Sequence, residues 1–212
     1  GAGCVLDAVD LALSGGAVRS FSAVRPPGHH ALRGSGVGFC LFGNVAIAAH
    51  YARQVKKLDR VLIVDWDVHH GNGTQALVEH DPNIRFVSMH QWPWYPGTGA
   101  HDDRGPHGNV WNVPMPAAQP REAYVGALLS AVDKASEGFT PDLVIISAGF
   151  DSLAGDPLGG FTLELDDVTR MTKELVSRAE QWCGGRLVSA LEGGYAPQRL
   201  GEAAVTHMRA LL

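Results

Sequence analysis

The chain has 212 residues, a hydrophobic share of 45% and a charged share of 18%, a globular composition of single-domain size. A net charge of −5, with no basic run longer than Lys56-Lys57, argues against a nucleic-acid-binding surface. No apolar run approaches the ~20 residues of a membrane span and no signal peptide opens the chain, so no membrane partner is expected. The three cysteines Cys4, Cys40 and Cys183 are odd in number and far apart. They point to a reducing, cytoplasmic compartment and no disulfide framework.

Residues 3–13 place Val5, Leu6, Val9 and Leu13 on one helical face, and Gly15-Gly16 stops the helix. Ser20 to Val24 reads as a short strand running into Arg25-Pro-Pro-Gly-His-His30, a stiff loop carrying adjacent histidines. Gly34 to Phe42 is a glycine-rich loop, and Asn44 through Gln54 is a helix with Asn44 as its expected cap. Val61 to Val64 is a β-branched, aliphatic run typical of a buried parallel strand. Asp65, Asp67 and His69 follow at a spacing of two, so an extended backbone would turn Asp67 and His69 to one side.

A short helix is expected near Gln75–His80 and a strand from Ile84 to Met89. Gln91 to His107 is a long aromatic loop, of the kind that usually folds over something. Its His101 and His107 read as solvated. Asn109 to Pro114 is a strand, and Arg121 to Glu137 an amphipathic helix. Leu143 to Ser147 is a second buried strand, with Asp151 just beyond it. Leu165 to Cys183 is a helix with an acidic first turn. Arg186 to Leu191 is the last strand, leading into Glu192-Gly-Gly-Tyr195, and a helix from about Gln198 to Leu212 closes the chain.

Strand and helix alternate with connections too long for hairpins. One α/β domain over 1–212, a three-layer sandwich with a mostly parallel sheet, is therefore expected. Ligands bind outside the carboxyl ends of such strands. His29-His30, Asp67 with His69, Asp151 and Tyr195 all fall there, so a parallel sheet gathers them on one edge. Asp67, His69 and Asp151 offer three ligands to a zinc-type metal and leave a position open, the pattern of a catalytic site. A histidine beside it, His30 or His29, can move the proton of an attacking water, and the Tyr195 hydroxyl can bind a developing oxyanion. The inventory is that of a metal-dependent amide hydrolase.

Six segments, in order, resemble the zinc-dependent histone deacetylase family: Arg25-Pro-Pro-Gly-His-His-Ala31, Gly38-Phe-Cys-Leu-Phe-Gly-Asn44, Asp65-Trp-Asp-Val-His-His-Gly-Asn-Gly-Thr-Gln75, Tyr95-Pro-Gly-Thr-Gly99, Ser147-Ala-Gly-Phe-Asp-Ser-Leu-Ala-Gly-Asp-Pro157 and Leu191-Glu-Gly-Gly-Tyr195. The nearest likeness is to class II enzymes and to bacterial deacetylases and acetylpolyamine amidohydrolases. Asn72 and Leu158 are class II-like choices. The resemblance implies the arginase/deacetylase fold and zinc on Asp67, His69 and Asp151. It makes His30 the general base and acid, with His29 as its electrostatic partner, Asp65 holding His29, and Asn72 facing His30. It sets Tyr195 on the substrate carbonyl. Gly38, Phe39, Tyr95 and Leu158 would line the tunnel. A K+ or Na+ ion would lie among Asp65, Asp67, His69, Ser88 and Met89.

Two departures stand out. Only 28 residues precede His29, where relatives carry a longer segment that supplies a sheet strand, one side of the rim and a substrate-gripping aspartate. The uncovered sheet edge this implies would favour a homo-oligomer. Gly43 stands where relatives usually have Asn, which is expected to loosen the turn beneath Phe39. The expected substrates are acylated lysine, polyamines or small amides. A non-catalytic binding or assembly module of the same fold is the alternative. A two-manganese ureohydrolase fits poorly, because the bridging aspartates it needs are absent.

Overall fold

A computed structural model describes all residues, 1–212. Six strands, β1 (Arg19–Ser22), β2 (Val61–Asp65), β3 (Ile84–Gln91), β4 (Val110–Met115), β5 (Leu143–Ala148) and β6 (Leu187–Leu191), form one sheet in the order β1-β6-β5-β2-β3-β4. All five pairings are parallel. The helices are α1 (Ala2–Ser14), α2 (Asn44–Gln54), α3 (Asn72–Val78), α4 (Arg121–Ser136), α5 (Leu165–Cys183) and α6 (Pro197–Leu211).

The three layers follow from alternation along the strands. In β2, Val61 and Ile63 join Val5, Val9, Ala48 and Ala52 of α1 and α2 on one face. Leu62 and Val64 join Tyr124, Leu128, Met171, Leu175 and Ala203 of α4, α5 and α6 on the other. Both faces are covered, which is why β2 and β5 read as near-continuous apolar runs rather than alternating ones.

The expected elements are present, with local shifts. The first strand stops at Ser22, where the Val24 amide folds back onto the Ser22 carbonyl at 2.8 Å. The third helix starts earlier than expected, because the Gly71-Asn72-Gly73 turn is itself its first turn, closed by Gln75 N–H on the Gly71 carbonyl at 2.9 Å. Asn44 is not the cap of α2. Gly43 holds that position, and the Asn44 amide donates to the Pro26 carbonyl at 3.2 Å, tying α2 to the His-His loop.

On α6, His207 has 0% exposure. Thr172 Oγ1 donates to the Val168 carbonyl (2.7 Å) and therefore accepts from His207 Nδ1 (2.7 Å), leaving His207 Nε2 to accept from Ser189 Oγ (2.8 Å). That arrangement suits a neutral ring, and burial lowers its pKa to about 3. The folded pKa lies below the unfolded one, so this contribution is complete above about pH 6.5 and is lost as the pH falls towards 3. His207→Gln is expected to flatten the acid limb of stability by about 1.4 kcal/mol per pH unit. Urea unfolding between pH 7 and 4 measures this, and parallel curves for the two proteins would contradict it.

Candidate active site

The strands β1, β6, β5 and β2 are neighbours, and the loops leaving their carboxyl ends carry His29-His30, Tyr195, Asp151 and Asp67 with His69. The backbone that brings Asp67 and His69 together is not the extended one expected from their spacing. β2 ends at Asp65. Beyond it the Asp65 carboxylate accepts the Asp67 amide (3.1 Å), and the Asp67 carboxylate accepts the His69 amide (2.9 Å). Each aspartate thus captures the amide two residues on and bends the chain.

Asp151 Oδ1 accepts the Val68 amide at 2.9 Å, whereas its buried Oδ2 has no hydrogen-bond partner. His69 Nδ1 lies 3.2 Å from that orphan oxygen and 3.0 Å from Asp67 Oδ1. One ligand atom from each of Asp67, His69 and Asp151 falls within 4.8 Å of the others. Two glycines press against this cluster. A Cβ on Gly149 would meet Asp67 Oδ2 at 2.2 Å, and one on Gly193 would meet Asp151 Oδ2 at 2.1 Å.

These residues fit a zinc-type cation. Both carboxylates have 0% exposure, a placement that demands compensating positive charge. Burial, then the neighbouring Asp67 charge, raises Asp151 to about 7. Burial opposes charge on His69, yet the adjacent Asp151 and Asp67 carboxylates raise it to about 10. One imidazole nitrogen and two carboxylates give three ligands and an open position.

The His-His loop is set from below. Glu192 Oε2 accepts the Gly28 and His29 amides (2.6 and 3.0 Å), and Oε1 accepts from Ser147 Oγ (3.1 Å). His29 Nδ1 lies 3.0 Å from Asp65 Oδ2. Burial disfavours charge on His29, but Asp67 and Asp65 override it and raise its pKa well above the usual imidazole range. His30 Nδ1 lies 2.7 Å from Asn72 Oδ1, so the amide oxygen fixes a proton on Nδ1 and leaves Nε2 as acceptor. Burial, then the His29 charge, lowers His30 to about 3. The two rings, 4.0 Å apart, are thereby pushed to opposite protonation states.

A cavity of about 430 Å³ opens above the cluster, lined by His30, Gly38, Phe39, His69, Trp94, Tyr95, Leu158 and Tyr195. All four tunnel residues expected from the sequence are in that lining, and Trp94 is an addition. Gly38 packs against His30, where a Cβ would meet Cδ2 at 2.4 Å. Phe39 holds a left-handed φ of 64°, a strained position of the kind found at ligand clamps. The loop carrying Trp94 and Tyr95 is fixed by His70, whose Nδ1 meets Thr98 Oγ1 (2.8 Å) and whose Nε2 meets Gln75 Oε1 (2.9 Å). Burial, then the charges of Asp67 and Asp151, pushes the Tyr195 phenol well above its usual range, so it remains a proton donor.

Ser88 is the register partner of Asp65 across β2 and β3, and its hydroxyl meets His90 Nδ1 at 3.1 Å. Met89 is fully buried in the core. His101 and His107 are exposed, as expected. Sequence reasoning gave no role to Glu192, Gly149, Gly193 or Asp156. Only the glycines left a local signal, one standing two residues before Asp151 and one two before Tyr195.

A parallel six-stranded sheet between two helical layers, with buried acids and histidines at its carboxyl edge, is the arginase/deacetylase type of α/β sandwich. Residues 1–211 match the histone deacetylase domain, and the chain belongs to that family. It is 46% identical to "Uncharacterized protein slr0245" of Synechocystis sp., over 91% of this chain and 62% of that protein. It is 40% identical to "Histone deacetylase 14, chloroplastic" of Arabidopsis thaliana, over 91% and 46%. It is 41% identical to "Histone deacetylase-like amidohydrolase" of Pseudomonas aeruginosa, over 92% and 52%. The crystal structure of the HDA15 HD domain superposes with a TM-score of 0.91 at 39% identity, covering 99% of this chain and 62% of that one. The chain thus spans about half to three fifths of the length of these relatives. No helix is long and apolar enough to cross a membrane.

Proposed function

We propose that residues 1–212 act as one catalytic unit, a zinc-dependent amidohydrolase that removes acetyl or related acyl groups from lysine-like or polyamine amines. The observation that carries this reading is the placement of the Asp67, His69 and Asp151 cluster against one cavity that His30 and Tyr195 also line. Zinc held by those three residues would supply Lewis acidity, polarising an amide carbonyl and acidifying a water.

The chain's own groups do the rest. The cavity walls Phe39, Tyr95 and Leu158 offer apolar surface to the stem of a lysine-like chain. His30 Nε2 takes the proton of the attacking water, because Nδ1 is already committed to Asn72. The same nitrogen returns that proton to the leaving amine. His29, held charged by Asp65 and Asp67, opposes a premature second charge on His30. The Tyr195 hydroxyl donates to the oxygen that becomes negative. A K+ or Na+ ion among the Asp65, Asp67 and His69 carbonyls, the Asp67 carboxylate, Ser88 and Met89 belongs to the same proposal.

Acetate release from acetyl-lysine amide and from N-acetylputrescine, followed by proton NMR with equimolar zinc, tests the reading. Release from at least one, abolished by chelation, is expected. No acetate from either would favour the non-catalytic module.

A further inference from the structure

Tyr195 follows two glycines, and Gly194 has a φ of 139° that side-chain-bearing residues rarely adopt. The segment is therefore not stiffened by its own sequence and depends on outside ties. On its upstream side Gly193 N–H donates to Asp67 Oδ2 at 2.8 Å. Beyond the glycines, the Tyr195 amide donates to Asp156 Oδ2 at 2.7 Å. Tyr195 is thus slung between two carboxylates, one in the ligand cluster and one outside it.

The second carboxylate also holds another lining residue, Leu158. Asp156 Oδ1 accepts the Leu158 amide at 2.9 Å. Pro157 between them has no N–H to compete, so the acid reaches two residues ahead. The Leu158 carbonyl in turn accepts from Trp94 Nε1 at 2.9 Å, which joins this loop to the one bearing Tyr95. Asp156 is only 7% exposed, so its two acceptor oxygens are used on main-chain amides rather than on water. A single buried side chain therefore fixes the oxyanion-binding tyrosine and the Leu158 part of the cavity lining in one frame.

We infer that Asp156 is a positioning residue for Tyr195. It acts through the Tyr195 and Leu158 amides and touches neither substrate nor metal. The inference rests on the hydrolytic reading of the site. Misplacing a catalytic group by a fraction of its contact distance costs rate rather than binding.

Asp156→Asn keeps one acceptor oxygen and turns a carboxamide NH2, itself a donor, towards the other N–H. It is expected to lower kcat by about 10–100-fold, the usual cost of removing a supporting partner, with KM changed less than about threefold. In a Tyr195→Phe background the same substitution is expected to cost almost nothing, because the group it positions is gone. A loss of equal size in both backgrounds would overturn the inference. Hydrogen exchange of the Tyr195 and Leu158 amides gives a readout free of turnover. Both are expected to lose protection in Asp156→Asn while the Gly193 amide keeps it, and unchanged protection at Tyr195 would overturn the inference even in a chain without activity. A wild-type chain that turns over no substrate would refute the hydrolytic reading itself, while the exchange pattern still decides the role of Asp156.

Discussion

Tyr195→Phe is expected to bind zinc with unchanged stoichiometry and to lose about 10²–10³ in kcat, or about 3–4 kcal/mol of transition-state stabilisation. The ring keeps its packing against Phe39 and His69, at centroid distances of 6.0 and 6.4 Å. Only the hydroxyl is lost. That hydroxyl stays protonated, because burial and the two nearby carboxylates oppose a phenolate. Substrate binding in the ground state involves the whole cavity, so KM is expected to move little. Steady-state kinetics on an acetyl-lysine amide measures this, and equal kcat in the two proteins would remove Tyr195 from the chemistry.

Gly193→Ala removes no ligand, yet it is expected to weaken zinc binding by at least about 100-fold, the upper end of what supporting contacts contribute. The added methyl would lie 2.1 Å from Asp151 Oδ2 and 2.6 Å from Asp67 Oδ2. Both acids are buried and tied to neighbouring amides, so neither can retreat without breaking a bond. Backbone strain is not the cause, because φ at Gly193 lies outside the left-handed region. Competition with a chromophoric chelator gives the affinity. A value within a few-fold of the unaltered protein would mean that the carboxylates move freely and that the cluster is less rigid than its bonding implies.

Much of the site was legible because a parallel sheet turns a one-dimensional observation into a spatial one. Short β-branched runs ending in His, Asp or Tyr must bring those groups to one edge if the strands run together, and all five pairings do. The Asp67 and His69 pair was found with the wrong backbone beneath it. A spacing of two fits an extended strand as well as two successive aspartate turns, and only the amides they capture separate the cases. Asp156 and Glu192 were not legible as working residues. Their partners lie 39 residues away at Tyr195 and 164 away at Gly28, and no local pattern states which amide a buried acid faces. The same holds for His207, kept neutral by burial and met by hydroxyls on α5 and β6. Trp94 read as one aromatic among several until its indole was seen on the Leu158 carbonyl.

The central claim is that one metal on Asp67, His69 and Asp151 works with the imidazole of His30. Titrating the metal-free chain with zinc while following hydrolysis of an acetyl-lysine amide tests it most directly. Turnover is expected to rise linearly and break at one equivalent. His69→Ala should show neither binding nor turnover, and His30→Ala should bind one zinc without turnover. Turnover that survives chelation, or that persists in His30→Ala at the rate of the unaltered chain, would contradict the account.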